Sequence, residues 1–230
     1  MKTKLPAVNA GGMIELTAGD GHTLDAYMAS PDGQPKGGLV MIQEIFGLTE
    51  QMKRCADTYA EAGYLTVLPA LFDRTDNNVV LGYTEFQKGG QLSMSLDEQC
   101  LLADVEAARL SVAGAGKTAI IGYCFGGTVA YRGACMLDFA CAVCYYGGSI
   151  GQLVDHMQPK IPVMYHFGAE DTYISNEVIG HIRDVDRTGI FHIYEGTGHG
   201  FNCDDRDGYH AEAAKLSTQR TRTFFAEHLD

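Results

Sequence analysis

The stretch Ile120-Ile121-Gly122-Tyr123-Cys124-Phe125-Gly126-Gly127 decides the fold. A run of apolar, strand-forming residues enters a glycine-flanked turn and leaves it as a helix: Lys117–Gly122 reads as a strand and Gly126–Leu137 as a helix, with Cys124 between them. The glycines two positions either side of Cys124 have the spacing of a G-x-S-x-G nucleophile turn with sulfur in place of oxygen. Lacking Cβ, they permit the tight backbone that lifts the central side chain above a sheet. A thiol there also meets the unpaired N–H groups and positive dipole end of a helix, which favour thiolate. The same pattern suits an inert buried cysteine beside a helix-packing glycine, so the rest of the chain must decide between the two readings.

On both sides of this turn strands and helices alternate. Glu15–Ala18 and Thr23–Ala29 flank Gly19-Asp20-Gly21-His22 and predict an antiparallel N-terminal hairpin. Gly37–Gln43 is a short apolar strand, Thr49-Glu50 opens a helix closed by Gly63, and Tyr64–Leu68 is a strand. Asp73–Gln91 holds no clear period and reads as a long connection. Beyond it, Leu96–Val112 is helix, Ala142–Tyr146 and Ile161–Phe167 are strands, and Ser175–Arg187 is helix. Phe191–Tyr194 is the last strand and Tyr209–Glu227 the terminal helix. This alternation predicts an α/β fold, a mostly parallel central sheet with helices on both faces. Nothing repeats at a fixed period and no linker is rich in Pro, Gly or Ser, so residues 1–230 read as one domain.

Composition narrows the partners. Seventeen Lys and Arg against 29 Asp and Glu leave a formal charge of −12, a repulsive field for a phosphate backbone, so nucleic acid is not an expected partner. Met1–Glu15 has two lysines but no apolar stretch of a secretory leader, and no apolar run reaches the length of a membrane span. A cytoplasmic protein without membrane attachment is expected. The seven cysteines are odd in number and scattered, which fits reduced thiols better than a disulfide framework.

A cysteine nucleophile needs a base, and the base an orienting group. Ile161–Phe167 runs into Gly168-Ala169-Glu170-Asp171, and Phe191–Tyr194 runs into Glu195-Gly196-Thr197-Gly198-His199-Gly200-Phe201. Asp171 and His199 therefore stand on loops past strand C-terminal ends, where open α/β sheets build their sites. The chain order is nucleophile, acid, histidine. Taken singly, Asp171 suits a helix cap, Glu170 competes for the acid's part, and His199 suits a loop histidine bonded to backbone.

Together these segments resemble the dienelactone hydrolase family of α/β-hydrolases, the carboxymethylenebutenolidases. The resemblance runs from the hairpin through Gln43-Glu44-Ile45-Phe46-Gly47, the Cys124 turn, Tyr145-Tyr146-Gly147 and Gly168-Ala169-Glu170-Asp171 to Gly198-His199-Gly200-Phe201. It implies an α/β-hydrolase fold and a triad of Cys124, His199 and Asp171, with oxyanion donors on the backbone of Ile45 and Phe125. It also implies that Glu44 holds the resting thiol neutral and takes its proton when substrate arrives, limiting idle oxidation. Read alone, Glu44 equally suits a solvated strand-end acid or a partner of Arg54. The implied chemistry is acyl transfer: thiolate attack, an oxyanion held by two backbone donors, and hydrolysis of the thioester by water that His199 activates.

Substrate is the looser expectation. Members acting on dienelactone clamp its carboxylate with one arginine before the mid-chain helix and one a few residues past the histidine. Here Thr75–Gly116 offers Lys88 and the mid-helix Arg109, and the position four past His199 is Cys203; Arg74 and Arg206 could substitute by loop shifts, but neither aligns cleanly. A small carboxylic ester or lactone is thus the expected substrate, handled by a monomer or small homo-oligomer that needs no metal and no cofactor. An acyltransferase or thioesterase, and a non-catalytic binding or redox-sensing protein on the same scaffold, are the alternatives. Other patterns read blandly. Cys141 and Cys144 face opposite sides of a strand, His166 and His192 are core residues, and Asp204-Asp205 with Asp207 forms a solvated turn lacking calcium-loop spacing. Tyr145 and Tyr146 suit either the pocket or the core. His22, His156, His181, His210 and His228 have no partner in view.

Overall fold

In a computed structural model, residues 11–229 are described; residues 1–10, most of the segment read above for a leader, and Asp230 lie outside them. The strands β1 (Gly12–Thr17) and β2 (Thr23–Ala29) pair antiparallel, Thr17 opposite Thr23, around a turn whose Gly21 has φ +87°. They are followed by β3 (Gly37–Ile42), α1 (Glu50–Glu61), β4 (Tyr64–Pro69), α2 (Phe86–Ser95) and α3 (Glu98–Val112). The second half comprises β5 (Thr118–Tyr123), α4 (Phe125–Met136), β6 (Cys141–Tyr145), α5 (Ile150–Leu153), β7 (Val163–Gly168), α6 (Asn176–Val185), β8 (Ile190–Tyr194) and α7 (Ala211–Leu229). The eight strands form one sheet in the order β1-β2-β4-β3-β5-β6-β7-β8, antiparallel through β2 and parallel from β4 to β8. Every residue of β3, β5, β6 and β7 is buried, as a parallel sheet covered on both faces requires.

Local chemistry places the helices. Thr49 caps α1 by accepting from the Met52 N–H, and Met52, Ala56, Tyr59 and Ala60 form its buried face; Gly63, at φ +105°, ends it. Asp97 caps α3 by accepting from the N–H groups of Gln99 and Cys100. Leu96, with an extended backbone, therefore stands before the helix rather than in it. The reading of Asp73–Gln91 as connection is corrected in its last part, because α2 begins at Phe86. Of its ten residues only Gly89 is buried, so α2 has no apolar stripe for a periodicity argument to find. Gly89 lies against the loop after β3, where a Cβ would come within 2.3 Å of the Ile45 carbonyl oxygen.

Two polar clusters brace the sheet. Arg74 bonds both carboxylate oxygens of buried Asp104 at 2.7 Å and reaches Asp20, while His22 Nδ1 lies 3.1 Å from Asp104. His22 therefore has a partner, brought from α3 by the hairpin turn, as does His181, paired with Asp155. His166 is wholly buried on β7, between the Tyr194 hydroxyl at 2.8 Å and the Thr221 hydroxyl at 3.0 Å. Its ring stacks on His192. Because the strands from β4 onward are parallel, their C-terminal ends share one edge, and the loops after β3, β5, β7 and β8 carry Glu44, Cys124, Asp171 and His199 there.

Candidate active site

Cys124 sits between β5 and α4 with φ +57° and ψ −117°, a strained conformation for a residue with a Cβ. Its neighbours explain how the strain is held. A Cβ at Gly122 would fall 1.9 Å from the Gly126 carbonyl oxygen, and one at Gly126 would fall 2.4 Å from that of Ile42. Only glycine lets β3, the turn and α4 approach this closely. The Cys124 N–H is anchored on the Tyr145 carbonyl at 3.0 Å. The half-buried thiol faces a cavity of about 530 Å³ that it shares with Ile45, Phe125, Tyr173, His199 and Arg206.

His199, after β8, presents Nδ1 to Asp171 Oδ2 at 2.8 Å. The other Asp171 oxygen accepts from the N–H groups of Tyr173 and Ile174 at 2.8 and 3.2 Å, which orients the buried carboxylate. Glu170 is exposed, and its N–H donates to the Thr197 carbonyl, so the acid beside the imidazole is Asp171. Burial of the His199 ring opposes its protonation. Its bonds to Asp171 and to Cys124, with the negative charges of the carboxylate and the ionised sulfur, outweigh that cost and push the pKa up to about 10.

The N–H groups of Ile45 and Phe125 donate to no other group among the described residues, and both residues line the cavity. Glu44, 2% exposed, has Oε1 without a hydrogen-bond partner; the nearest cation is Arg206, with Nη1 at 3.7 Å. Burial pushes the Glu44 pKa up, and the charges of Arg206 and His199 pull against it. Arg54, the alternative partner, instead meets Asp204 and Asp205 at 3.1 and 2.7 Å, so that acidic turn is ion-paired.

The arginines fall differently from the linear alignment. Arg74 is committed to Asp104 and Asp20, and Arg109 to Glu106. Arg206 is in the cavity. It lies over the rings of Phe46 and Phe86, 5.6 Å from each centroid, and beside Gly200, where a Cβ would collide with Nη1 at 2.4 Å. The glycine after His199 was the available signal for this approach. Arg132, on α4, also lines the cavity and drew no notice in the sequence; its only signal is its place eight residues past Cys124, on the face of α4 that follows the thiol.

This geometry belongs with a known group of proteins. The dienelactone hydrolase family model matches residues 24–229. The chain belongs to the dienelactone hydrolase family. As a member it is an ester and lactone hydrolase of the α/β-hydrolase fold, as expected. A carboxymethylenebutenolidase of Pseudomonas putida is 31% identical over 224 residues, 93% of this chain and 95% of its own. Carboxymethylenebutenolidase 1 of Cupriavidus pinatubonensis is 27% identical over 225 residues, again 93% and 95% of the two chains. A Klebsiella pneumoniae crystal structure with a provisional dienelactone hydrolase assignment superposes with a TM-score of 0.80 at 27% identity, covering 95% of this chain and 99% of its own.

Other family-like positions take supporting places. Tyr145 and Tyr146 are both fully buried; Tyr146 packs its ring 5.0 Å from that of His199, so both belong to the core beneath the site. Cys141 and Cys144 are buried within β6. No described helix is long and apolar enough to cross a membrane.

Proposed function

We propose that the protein hydrolyses a small carboxylic ester or lactone through an acyl-enzyme on Cys124. The observation that carries this reading is the convergence of a thiol on a strained turn with an imidazole that Asp171 orients at 2.8 Å. The Cys124 sulfur attacks the carbonyl carbon, and the N–H groups of Ile45 and Phe125 hold the oxyanion. As the carbon–oxygen bond breaks, protonated His199 gives its proton to the leaving alkoxide. Acylation removes the thiolate that helped to raise the His199 pKa, leaving the ring better able to act as base. Water then attacks the thioester, passes a proton to His199 and releases the acid, and sulfur leaves as thiolate. Glu44, raised by burial, suits the receipt of the resting thiol's proton. We place all of this in one domain across the chain, acting on a small molecule without metal or cofactor, in the cytoplasm, as a monomer or small homo-oligomer.

The test is mass spectrometry of the intact protein during turnover of a small aryl ester. A transient acyl adduct on Cys124, absent together with turnover in Cys124→Ala, is the expected result. Full activity of Cys124→Ala overturns the proposal.

A further inference from the structure

The cavity runs along α4. Phe125, Thr128, Val129 and Arg132 all line it, and their spacing of three, four and seven residues places them on one helical face that starts at the thiol. Eight residues of helix put the Cα atoms of Cys124 and Arg132 about 12 Å apart. Helical side chains lean toward the N-terminus, so the guanidinium leans back toward the sulfur. Leu96 and Leu101 also line the cavity, and with Phe125 and Val129 they give it an apolar wall. Its far end is charged. Arg132 touches Glu98 through Nη1 alone, whereas Arg74 and Arg109 each grip a carboxylate with two nitrogens. The remaining donors of Arg132 have no other hydrogen-bond partner among the described residues. Glu98, 44% exposed at the first residue of α3, is free to turn outward to water. Arg206, the other arginine of the cavity, lies beside Glu44.

We propose that Arg132 is a specificity-determining residue, recognising a carboxylate on the substrate's far end, with Glu98 as the internal anion that this carboxylate displaces. The reading rests on hydrolysis at Cys124 and names the substrate class: esters whose arm is apolar for several bonds and ends in a carboxylate. An extended chain advances about 1.2 Å per bond, so a straight arm of about six to nine carbons spans the channel. A compact lactone carboxylate does not reach it.

The experiment compares the aryl half-ester of a straight eight-carbon dicarboxylic acid with the uncharged aryl octanoate, using aryl acetate as a third substrate. The quantity read is the ratio of kcat/KM for half-ester over octanoate. In the wild type the ratio exceeds one. Arg132→Gln lowers it roughly ten- to hundredfold, the size of a lost charge-assisted hydrogen bond, while Glu98→Gln raises it. Arg132→Lys retains part of the preference, which separates charge recognition from misfolding. A ratio below one in the wild type, one unmoved by Arg132→Gln, or one lowered by Glu98→Gln overturns the subsite while leaving hydrolysis at Cys124 intact. Failure of the wild type to cleave any of the three esters overturns the hydrolase reading itself.

Discussion

His199 Nδ1 and Asp171 Oδ2 lie 2.8 Å apart, and the second oxygen of that carboxylate is tied to two backbone N–H groups, so the imidazole is held by an acid that cannot itself swing away. Asp171→Asn keeps the shape and removes the charge that raises the His199 pKa. We expect kcat to fall by roughly 10³–10⁴-fold. If His199 acts as proposed, the alkaline limb of kcat/KM follows loss of its proton, at a pKa raised to about 10, and moves to lower pH in the variant. The sign also fixes a stability trend. A folded pKa above the unfolded value of about 6.5 adds stability that is complete below that pH and is lost as pH rises through about 10. A pH–rate profile whose alkaline limb stays in place would sink this account of the pair.

Glu44 makes the opposite trade. Burial raises its pKa, so the ionised carboxylate costs folding free energy at every pH above its unfolded value of about 4.3. Glu44→Gln should therefore gain thermal stability relative to the wild type as pH rises from 5 to 8, while losing roughly 10²-fold in turnover through the missing proton acceptor. Thermal melts at the two pH values check this, and a relative Tm that falls toward pH 8 contradicts it.

The turn around Cys124 depends on bare backbone. Gly126→Ala puts a methyl group 2.4 and 2.6 Å from the carbonyls of Ile42 and Gln43, and should cost about 1–3 kcal/mol or more, lowering Tm by several degrees. Gly180→Ala, in α6 with nothing within 4 Å, should instead stabilise by about 1 kcal/mol through helix propensity. Circular dichroism melts decide; equal effects at the two glycines would contradict the steric argument.

His166 tests the difference between core and catalyst. His166→Leu leaves the hydroxyls of Tyr194 and Thr221 without their shared partner in a buried site, and should cost about 2–4 kcal/mol of stability. The folded variant should keep the wild-type kcat/KM. Loss of activity without loss of stability would give this histidine a role in the reaction that its position does not suggest.

The helices α1 and α4 and all eight strands were legible because each carries its own signal: Thr49 at a cap, the Gly19-Asp20-Gly21-His22 turn of the hairpin, apolar runs in the inner strands, glycines at Cys124. The helix α3 was legible too, but its start was read one residue before the Asp97 cap. The reach of α2 was not, since Gly89-Gly90 and the polar residues around them bury almost nothing and leave no period to detect. His22 looked solitary for a related reason, its partner Asp104 being 82 residues away along the chain.

By itself the sequence determined the backbone turn at Cys124 and the alternation that sends strand ends to one edge, because these depend on glycine conformation and short-range periodicity. Tertiary structure alone decided which acid meets His199 and which arginines enter the cavity. Arg74 and Arg206 look equivalent in a linear reading, yet one is spent on Asp104 and the other folds back over Gly200 toward Glu44. A long, flexible side chain carries no local signal of its destination, since what selects its rotamer is the packing and charge contributed by distant segments.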